Sequence, residues 1–187
     1  MAEFSSYEPD RVEVGGEVIE SFVAAFPVEI RDYGAAALGK HGIQDPNPNR
    51  FYTAQPFLDA MRDVAQRLGR NMMTRIGQQI AVRVDLPPAW GSLEAALGGL
   101  DKAYHSKYRG GEIGHWTYHH QGIHQGLMRG TMISTNHYCC AFDRGVLEGF
   151  AKRFRPMGIT DALVRHDDSQ PCRKHGAESC TYVITWG

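Results

Sequence analysis

The fold of this protein is decided by NHYCCAFDRGVLEGFAKRF, residues 136–154 of a chain of 187 residues. Within this stretch, bulky apolar side chains recur every fourth residue and so lie on one face of a helix: Phe142, Val146, Phe150 and Phe154. Gly145 and Gly149 share a neighbouring face, where the missing side chains let another element approach closely. We therefore predict a central helix over about Phe142–Arg155, packed tightly on its neighbours.

On both sides of this helix, the spacing of apolar residues divides the chain into helices and strands. It predicts helices that span about 17–26, 30–39, 57–69, 72–80 and 93–105, the last with Ser92 as its N-cap. After Gly110-Gly111 the pattern alternates, which predicts a hairpin whose turn is Gln121–Gly126. GITDALVRHDD (158–168) and CTYVITW (180–186) predict a second hairpin. The fold class is therefore α+β, with N-terminal helices packed on a small antiparallel sheet of about four strands and the central helix between two hairpins.

The bulk composition is that of an ordinary globular protein. A chain of 187 residues with a net charge of -1 can bury a sizeable core, and it lacks the basic surplus that attracts nucleic acid. Apolar runs such as Phe22–Val28 are far too short to span a bilayer, so we expect no membrane insertion. The acidic N-terminus lacks a basic-then-apolar leader, so we expect a cytoplasmic protein. We predict a single domain in which residues 1–50 form a helical extension and residues 51–187 the ligand-binding core.

The four cysteines fall in two clusters, one at the start of the central helix and one around a glycine turn. Cys172 and Cys180 flank Gly176, and Cys140, rather than Cys139, is the expected third partner. In a reducing compartment such cysteines act as metal ligands, as redox groups or as small buried side chains. The spacing alone leaves these three interpretations open.

A structural zinc site needs a fourth ligand, because zinc prefers four donors in a tetrahedron. The residues that end the strand before the second cysteine pair offer three candidates: His166, Asp167 and Asp168. We take Asp168 as the fourth ligand. The predicted zinc site then consists of Cys140, Asp168, Cys172 and Cys180.

Two motifs resemble the 4-vinyl reductase-type domain. They are YCCAFDRGVLEG, with glycines five and nine residues after Cys140, and CRKHGAESC followed by the apolar TYVITW. That small-molecule-binding module is also the sensory part of phenol-responsive bacterial activators. The resemblance implies a structural zinc held by Cys140, Cys172, Cys180 and an acidic residue just ahead of the spaced pair. In this chain Ser169 stands three residues before Cys172 and Asp168 four residues before it.

The resemblance covers residues 85–187 well and the N-terminal helices only loosely. Its superfamily also includes the haem–nitric oxide sensor domains and trafficking-complex subunits. In LDKAYHSKYRGG, His105 stands on the helix before the sheet, similar to where the haem sensors keep their proximal histidine. Their Tyr-x-Ser-x-Arg haem-propionate motif is absent, since the corresponding stretch reads YCCAFDR. His105 is the candidate haem ligand, and haem is the second candidate cofactor besides zinc.

The first predicted hairpin and the residues after it are rich in histidine: His115, His119, His120, His124 and His137. Imidazoles on adjacent strands could bind a transition metal or act as acids and bases near neutral pH. On one strand, however, His115 and His119 would stand about 13 Å apart, too far to share one ion. We favour pocket lining or a solvent-facing surface for these histidines. The predicted ligand pocket is lined by Trp116, Tyr118, His120, Met128 and Met132.

These features favour a small-molecule-binding sensor or carrier domain that holds an apolar, aromatic or tetrapyrrole-like ligand beside a structural zinc. It would signal through a partner protein or as a homodimer formed by its N-terminal helices. The first alternative is an enzyme acting on a tetrapyrrole or aromatic substrate through the hairpin histidines, and the second is a haem-based gas sensor using His105. No P-loop, dinucleotide fingerprint or nucleophile elbow is present, so we name no catalytic residue and lean against an enzyme.

Overall fold

The computed structural model describes residues 4–8, 11–86, 90–154 and 162–187. In chain order its helices are α1 (Gly16–Ala24), α2 (Arg31–Lys40), α3 (Ala54–Arg83), α4 (Leu93–Ser106) and α5 (Cys140–Arg153). Its strands are β1 (Glu13–Gly15), β2 (Phe51–Thr53), β3 (Tyr108–Arg109), β4 (Trp116–His124), β5 (Leu127–Ser134), β6 (Ala162–His166) and β7 (Cys180–Trp186). The predicted α+β class is confirmed, with the central helix α5 between the hairpins β4–β5 and β6–β7.

The strands form two antiparallel sheets. The larger sheet has the strand order β4-β5-β7-β6 and contains the four strands that the sequence predicted. The smaller sheet has the order β2-β1-β3 and joins the N-terminal segment to the chain before α3 and after α4. The sequence did not predict this second sheet, because strands of two or three residues are too short to show an alternating pattern.

The β4–β5 hairpin closes in a shorter turn than the sequence predicted. β4 continues to His124, which pairs with Leu127, so Gln125 and Gly126 alone form the turn. Both turn residues have positive φ, 51° and 80°, as in the tight two-residue turns whose twist matches that of the flanking strands. The predicted turn, which began at Gln121, is corrected accordingly.

The crossing of α3 and α5 forms the centre of the molecule. A side-chain carbon on Gly145 of α5 would lie 2.0 Å from the backbone oxygen of Thr74 in α3. One on Gly77 of α3 would lie 2.3 Å from the backbone oxygen of Phe142 in α5. Each helix therefore presents a glycine to the backbone of the other, and the close approach predicted for α5 has a matching surface on α3.

The ends of the helices differ from the predictions by a few residues. At Gly69, where the sequence predicted one helix to end and another to begin, φ of 79° and ψ of 179° interrupt α3. α5 begins two residues earlier than predicted, at Cys140, and ends at Arg153. The predicted end at Arg155 and residues 158–161 of the predicted strand lie outside the described residues.

The N-terminal helices α1 and α2 both pack on α3. Phe22 makes edge-to-face contacts with Phe26 and with Phe57, at ring-centroid distances of 5.2 and 5.5 Å. The division into an extension over 1–50 and a core over 51–187 stays a prediction. Within the described ranges, the structure contains no helix that combines the length and the apolar character needed to cross a membrane.

Candidate metal cluster and ligand cavity

Three cysteines and one histidine from distant parts of the sequence meet beside α5. Cys140 is the first residue of α5, His166 the last of β6 and Cys180 the first of β7, while Cys172 lies in the loop between these strands. Each offers one ligand atom, and the four atoms lie within 4.8 Å of one another. The antiparallel pairing of β6 with β7, and the packing of α5 on β6, bring them together. Cys139 lies outside this group.

The His166 ring is held in an orientation that suits metal binding. Its Nδ1 hydrogen-bonds to Asp168 Oδ1 at 2.8 Å, and because a carboxylate only accepts, Nδ1 carries the hydrogen. Its Nε2 is buried and has no hydrogen-bond partner within the described part of the chain. Histidines that ligate metals commonly donate their other N–H to a carboxylate in this way. The structure thus places His166 inside the group, and the predicted ligand Asp168, whose side chain is 96% exposed, outside it as the partner of His166.

Hydrogen bonds to the sulfur atoms stabilise negative charge in the cluster. Arg70 Nη2 donates to Cys140 Sγ at 3.0 Å, and Arg173 Nε donates to Cys180 Sγ at 3.4 Å. The hydrogen bond with Cys140, and beyond it the charge of Arg173, lower the pKa of Cys180 to about 3, while the same bond raises the pKa of Cys140. These contacts favour a thiolate in the cluster, the form of cysteine that binds metals. Cys180 Sγ lies 3.7 Å from Cys172 Sγ.

A buried ion pair, which sequence reasoning missed, lies directly behind the cluster. Arg173 donates to Asp143 Oδ2 and to both the backbone and the side-chain oxygen of Asn136. Asn136 donates in turn to Asp143 Oδ1 at 2.9 Å. Burial alone would lower the pKa of Arg173, but the attraction of Asp143 raises it, so the guanidinium stays charged. The signal was local: Arg173 directly follows Cys172, and Asp143 lies three residues after Cys140.

An apolar cavity of about 90 Å³ lies between the helices and the start of β4. Its wall comes from α1, α3, α4 and α5, and from the segment that joins β5 to α5. The bulkiest apolar side chains on the wall are Phe57, Leu100, Trp116, Phe142 and Phe150. Because apolar cavities of this kind stay dry, the space suits an apolar molecule better than water.

Tyrosine side chains line part of this cavity, and their hydroxyls are held in hydrogen bonds within the protein. Tyr104, Tyr108 and Tyr138 line it; Tyr104 donates to the backbone oxygen of Ile113 at 2.7 Å, and Tyr108 and Tyr138 share a hydrogen bond. Tyr7 donates to the Tyr138 hydroxyl at 3.4 Å. Burial raises the pKa of all four tyrosines, to about 12 for Tyr7, so the hydroxyls are neutral at physiological pH. Sequence reasoning missed this cluster, because only tertiary packing brings residues 7 and 138 together.

Of the five residues predicted to line a ligand pocket, the structure brings Trp116 to the cavity. Tyr118 and His120 follow at alternate positions of β4, with the Tyr118 hydroxyl 3.5 Å from His120 Nδ1. Met132 is fully buried and Met128 partly buried in β5, and neither lines the cavity. The cavity lies at the start of β4, so the first of the three alternating positions reaches it and the next two do not.

His105 lies in the last turn of α4 and outside the cavity lining. Its ring stacks on His115 at a centroid distance of 4.8 Å, and its Nδ1 donates to the backbone oxygen of Asp101 at 2.9 Å. No histidine is found among the described residues that line the cavity. Pockets for drug-sized ligands measure about 300–1,000 Å³, well above this cavity. In this arrangement the residues present do not fit a haem.

Comparison with known proteins gives a match at the level of structure. No protein-family model matches the sequence, and no curated protein matches it. A mutant of T. tengcongensis H-NOX is 16% identical with a TM-score of 0.61, over 91% of this chain and 96% of that one. An oxygen-binding H-NOX domain related to soluble guanylate cyclases is 14% identical with a TM-score of 0.57, over 91% and 94%. A structure concerned with modulating haem redox potential through porphyrin distortion is 12% identical with a TM-score of 0.58, over 92% and 98%.

At these identities the likeness shows the fold and leaves the ligand to be argued from the site. The 4-vinyl reductase-type relationship suggested by the cysteine motifs is finer than these matches reach and stays a prediction. The chain has the fold of these H-NOX structures.

Proposed function

We propose that this protein is a small-molecule-binding sensor domain of the 4-vinyl reductase type, whose ligand occupies the apolar cavity. The observation that carries this proposal is the cavity itself, inside a fold shared with an oxygen-binding H-NOX domain. Packed cores leave few voids, because atoms that border empty space lose dispersion contacts. An apolar pocket between the helices and the start of β4 is best explained as a ligand site. The output would pass to a partner protein or through a homodimer formed by the N-terminal helices.

The size and lining of the cavity limit the ligand to a compact, largely apolar molecule. An engineered apolar cavity of about 150 Å³ holds one benzene molecule. A cavity of about 90 Å³ would therefore admit a small ring after a modest expansion of its wall. Tyr108 and Tyr138 line that wall, but polar atoms contribute almost none of its surface, so a ligand without polar substituents fits it best.

We further propose that Cys140, His166, Cys172 and Cys180 hold one structural zinc ion. Three thiolates and one imidazole are a closed set of four soft and borderline ligands, with no position left for water or substrate. The buried Nε2 of His166 supports this proposal, because a buried acceptor without a partner costs about 1–3 kcal/mol. When bound, zinc would supply structural cross-linking: it would join the start of α5 to both strands of the last hairpin.

A variant whose side chain fills the cavity tests whether the cavity is the ligand site. Ala103 lies on α4 at the cavity wall and is partly exposed, so Ala103→Phe should fill the space without unfolding the helix. We expect benzene and phenol to raise the melting temperature of the wild type, and to have no effect on Ala103→Phe. Val82→Phe, on the exposed side of α3, is the matched control and should behave like the wild type. Equal responses of the wild type and Ala103→Phe would reject the cavity as the ligand site.

The zinc site is tested by metal analysis of protein without a histidine tag, purified without added metal. We expect about one tightly bound zinc per chain, in line with a closed four-ligand site. Cys180→Ser should lose this zinc, and Cys139→Ser, which changes a buried thiol outside the group, should keep it. Wild-type protein without zinc, or equal loss in both variants, would show that the cluster is a set of buried thiols.

The fold neighbours favour a second candidate function, a haem-based gas sensor. Haem added to the purified protein distinguishes the two. A Soret band that shifts on binding and is lost in His105→Ala would support the haem sensor. The cavity proposal predicts the spectrum of free haem in both the wild type and His105→Ala.

A further inference from the structure

A second group of metal-ligating side chains lies at the surface, where α4 meets the start of the β4–β5 hairpin. Asp101 and His105 stand one turn apart on α4, and His115 directly precedes β4. Each offers one ligand atom, and the three atoms lie within 4.8 Å of one another. We propose that these three residues bind a divalent transition-metal ion, at a site separate from the cysteine cluster and from the cavity.

The spacing of the group suits one ion. Asp101 Oδ1 lies 3.4 Å from His105 Nδ1 and 3.5 Å from His115 Nδ1. Two ligands bonded to a tetrahedral zinc at about 2.0–2.1 Å stand about 3.3–3.4 Å from each other. The carboxylate thus already stands, from each of the two rings, at the separation that a shared ion would impose.

Further contacts hold the three side chains in place. The backbone N–H of Trp116 donates to Asp101 Oδ1 at 2.8 Å. Without an ion, His105 Nδ1 donates to the backbone oxygen of Asp101 at 2.9 Å, and an ion bound at this nitrogen would replace that hydrogen bond, because a metal takes the lone pair of an unprotonated ring nitrogen. His115 Nε2 lies 3.6 Å from Glu112 Oε1, on the side of the ring away from Nδ1. Partners of this kind orient the ligands of metal sites, and they reduce the side-chain entropy lost when an ion binds.

The donor set indicates the class of ion. Two imidazoles and one carboxylate suit borderline divalent ions such as Zn²⁺, Ni²⁺ and Cu²⁺, and they lack the thiolates that would select a soft ion. Three protein ligands leave at least one coordination position for water. The side chains of His115 and Asp101 are 56% and 36% exposed, so the ion would exchange with solvent. This open site contrasts with the buried cysteine cluster.

The sequence did not predict this site, because its pattern placed His115 on the same strand as His119. On one strand the two histidines would be too far apart to share one ion. In the structure His115 precedes β4 and stacks on His105 of α4, ten residues earlier in the chain.

Calorimetric titration with Ni²⁺ tests the proposal, using protein without a histidine tag. We expect one equivalent of Ni²⁺ to bind the wild type. Loss of an outer partner typically weakens metal binding by about 10–100-fold, so His105→Ala and His115→Ala, which each lose a ligand, should weaken it by more than about 100-fold. His119→Ala is the matched control, because His119 is exposed on β4 and outside the group, and it should bind like the wild type. Circular dichroism would verify that each variant is folded.

Three results would overturn the proposal: no Ni²⁺ binding by the wild type, equal affinity in His115→Ala, or equal loss in His119→Ala. Titration with Co²⁺ separates this site from the cysteine cluster. Co²⁺ bound to the proposed site would have nitrogen and oxygen ligands and no thiolate. Its spectrum should therefore show weak visible bands and should lack the intense thiolate-to-cobalt absorption band. A strong thiolate band that grows with the added Co²⁺ would place the ion in the cysteine cluster and would also overturn the proposal.

Discussion

At the scale of single residues, the cysteine cluster depends on the orientation of the His166 ring. Its buried Nε2 has no hydrogen-bond partner within the described residues. The Nδ1–H of His166 donates to Asp168, so the buried Nε2 is the nitrogen that could bind the proposed zinc. The sequence predicted Asp168, an acidic residue ahead of the cysteine pair, as a metal ligand. In the structure Asp168 lies at the edge of the cluster and not among its four members. Asp168 acts on the cluster through His166, because its own carboxylate is almost fully exposed.

Asp168→Asn should weaken zinc binding without abolishing it. The carboxylate orients the His166 ring and raises its basicity, and loss of such a partner costs about 10-fold or more in metal affinity. Competition with a chromophoric chelator measures this change. Glu178→Gln is the matched control, since it removes the same charge from an exposed position of the same loop. Equal affinities in the two variants would contradict the role assigned to Asp168.

His137 should make stability fall on the acid side of neutrality. Burial, together with the charge of Arg173, lowers its pKa from 6.5, so the native state binds the proton less readily than the unfolded chain does. The contribution of His137 is therefore complete above about pH 6.5, and it is lost as the pH falls from there through the native pKa.

The measurement compares urea midpoints at several pH values in the wild type and in His137→Gln. The variant should lose less stability between neutral pH and mild acid than the wild type does. Because the cysteine cluster is the same in both proteins, the difference between the two curves isolates His137. Parallel curves would show that His137 does not contribute.

At the scale of elements, the position of Cys140 depends on how α5 docks on α3. Cys140 is the first residue of α5, and Thr74 of α3 donates to the backbone oxygen of Ala141 at 3.1 Å. One turn further along, Gly145 lies against the backbone of Thr74. The contact of Gly145 with Thr74 therefore determines how closely α5 approaches α3, and with it the position of Cys140.

Gly145→Ala should destabilise the protein by about 1–3 kcal/mol or more, because the added carbon would meet backbone atoms that have little freedom to move. It should also weaken zinc binding by displacing Cys140. Urea denaturation gives the first quantity and chelator competition the second. Gly39→Ala in α2 is the control: nothing lies near the added carbon, and alanine favours the helix by up to about 1 kcal/mol. Similar losses in both variants would refute the close contact.

At the scale of the whole molecule, a chain of hydrogen bonds connects the cavity to the cysteine cluster. Asn136 lines the cavity and accepts from Arg173, and Arg173 donates to Cys180 at 3.4 Å. α5 contributes to both sites as well, through Cys140 at its first turn and Phe150 near its end. The cluster thus supports the wall behind the cavity, and the ligand that we propose would bind in the cavity and not at the cluster.

Removing the metal with a chelator should loosen one part of the molecule more than the rest. β6 ends at His166 and β7 begins at Cys180, and both residues belong to the cluster. α2 and the β4–β5 hairpin contain no residue of the cluster. Hydrogen exchange followed by mass spectrometry should show faster exchange in β6 and β7 and unchanged exchange in α2, since the large core keeps the protein folded. Uniform loss of protection, or no change at all, would contradict a zinc that acts locally.

The sequence by itself determined the features that depend on short-range spacing. The stripe Phe142, Val146, Phe150 and Phe154 specified α5, Ser92 specified the start of α4, and the alternation after Gly111 specified the first hairpin. The motifs around the cysteines also brought Cys140, Cys172 and Cys180 into one predicted group. The helix and strand predictions succeeded because helix and strand periods are local properties of the chain. The cysteine prediction remains a prediction of a shared site, although the three sulfur atoms do lie close together.

Tertiary structure alone decided the features that need contacts between distant residues. It selected His166 over its neighbour Asp168, placed Gly77 against α5, gathered Tyr7 with Tyr138, and turned His115 towards α4. Each of these choices depends on the angle and register at which two elements pack, which periodicity does not specify. The cavity has the same origin, because its volume is what remains after six elements from different parts of the chain have packed together.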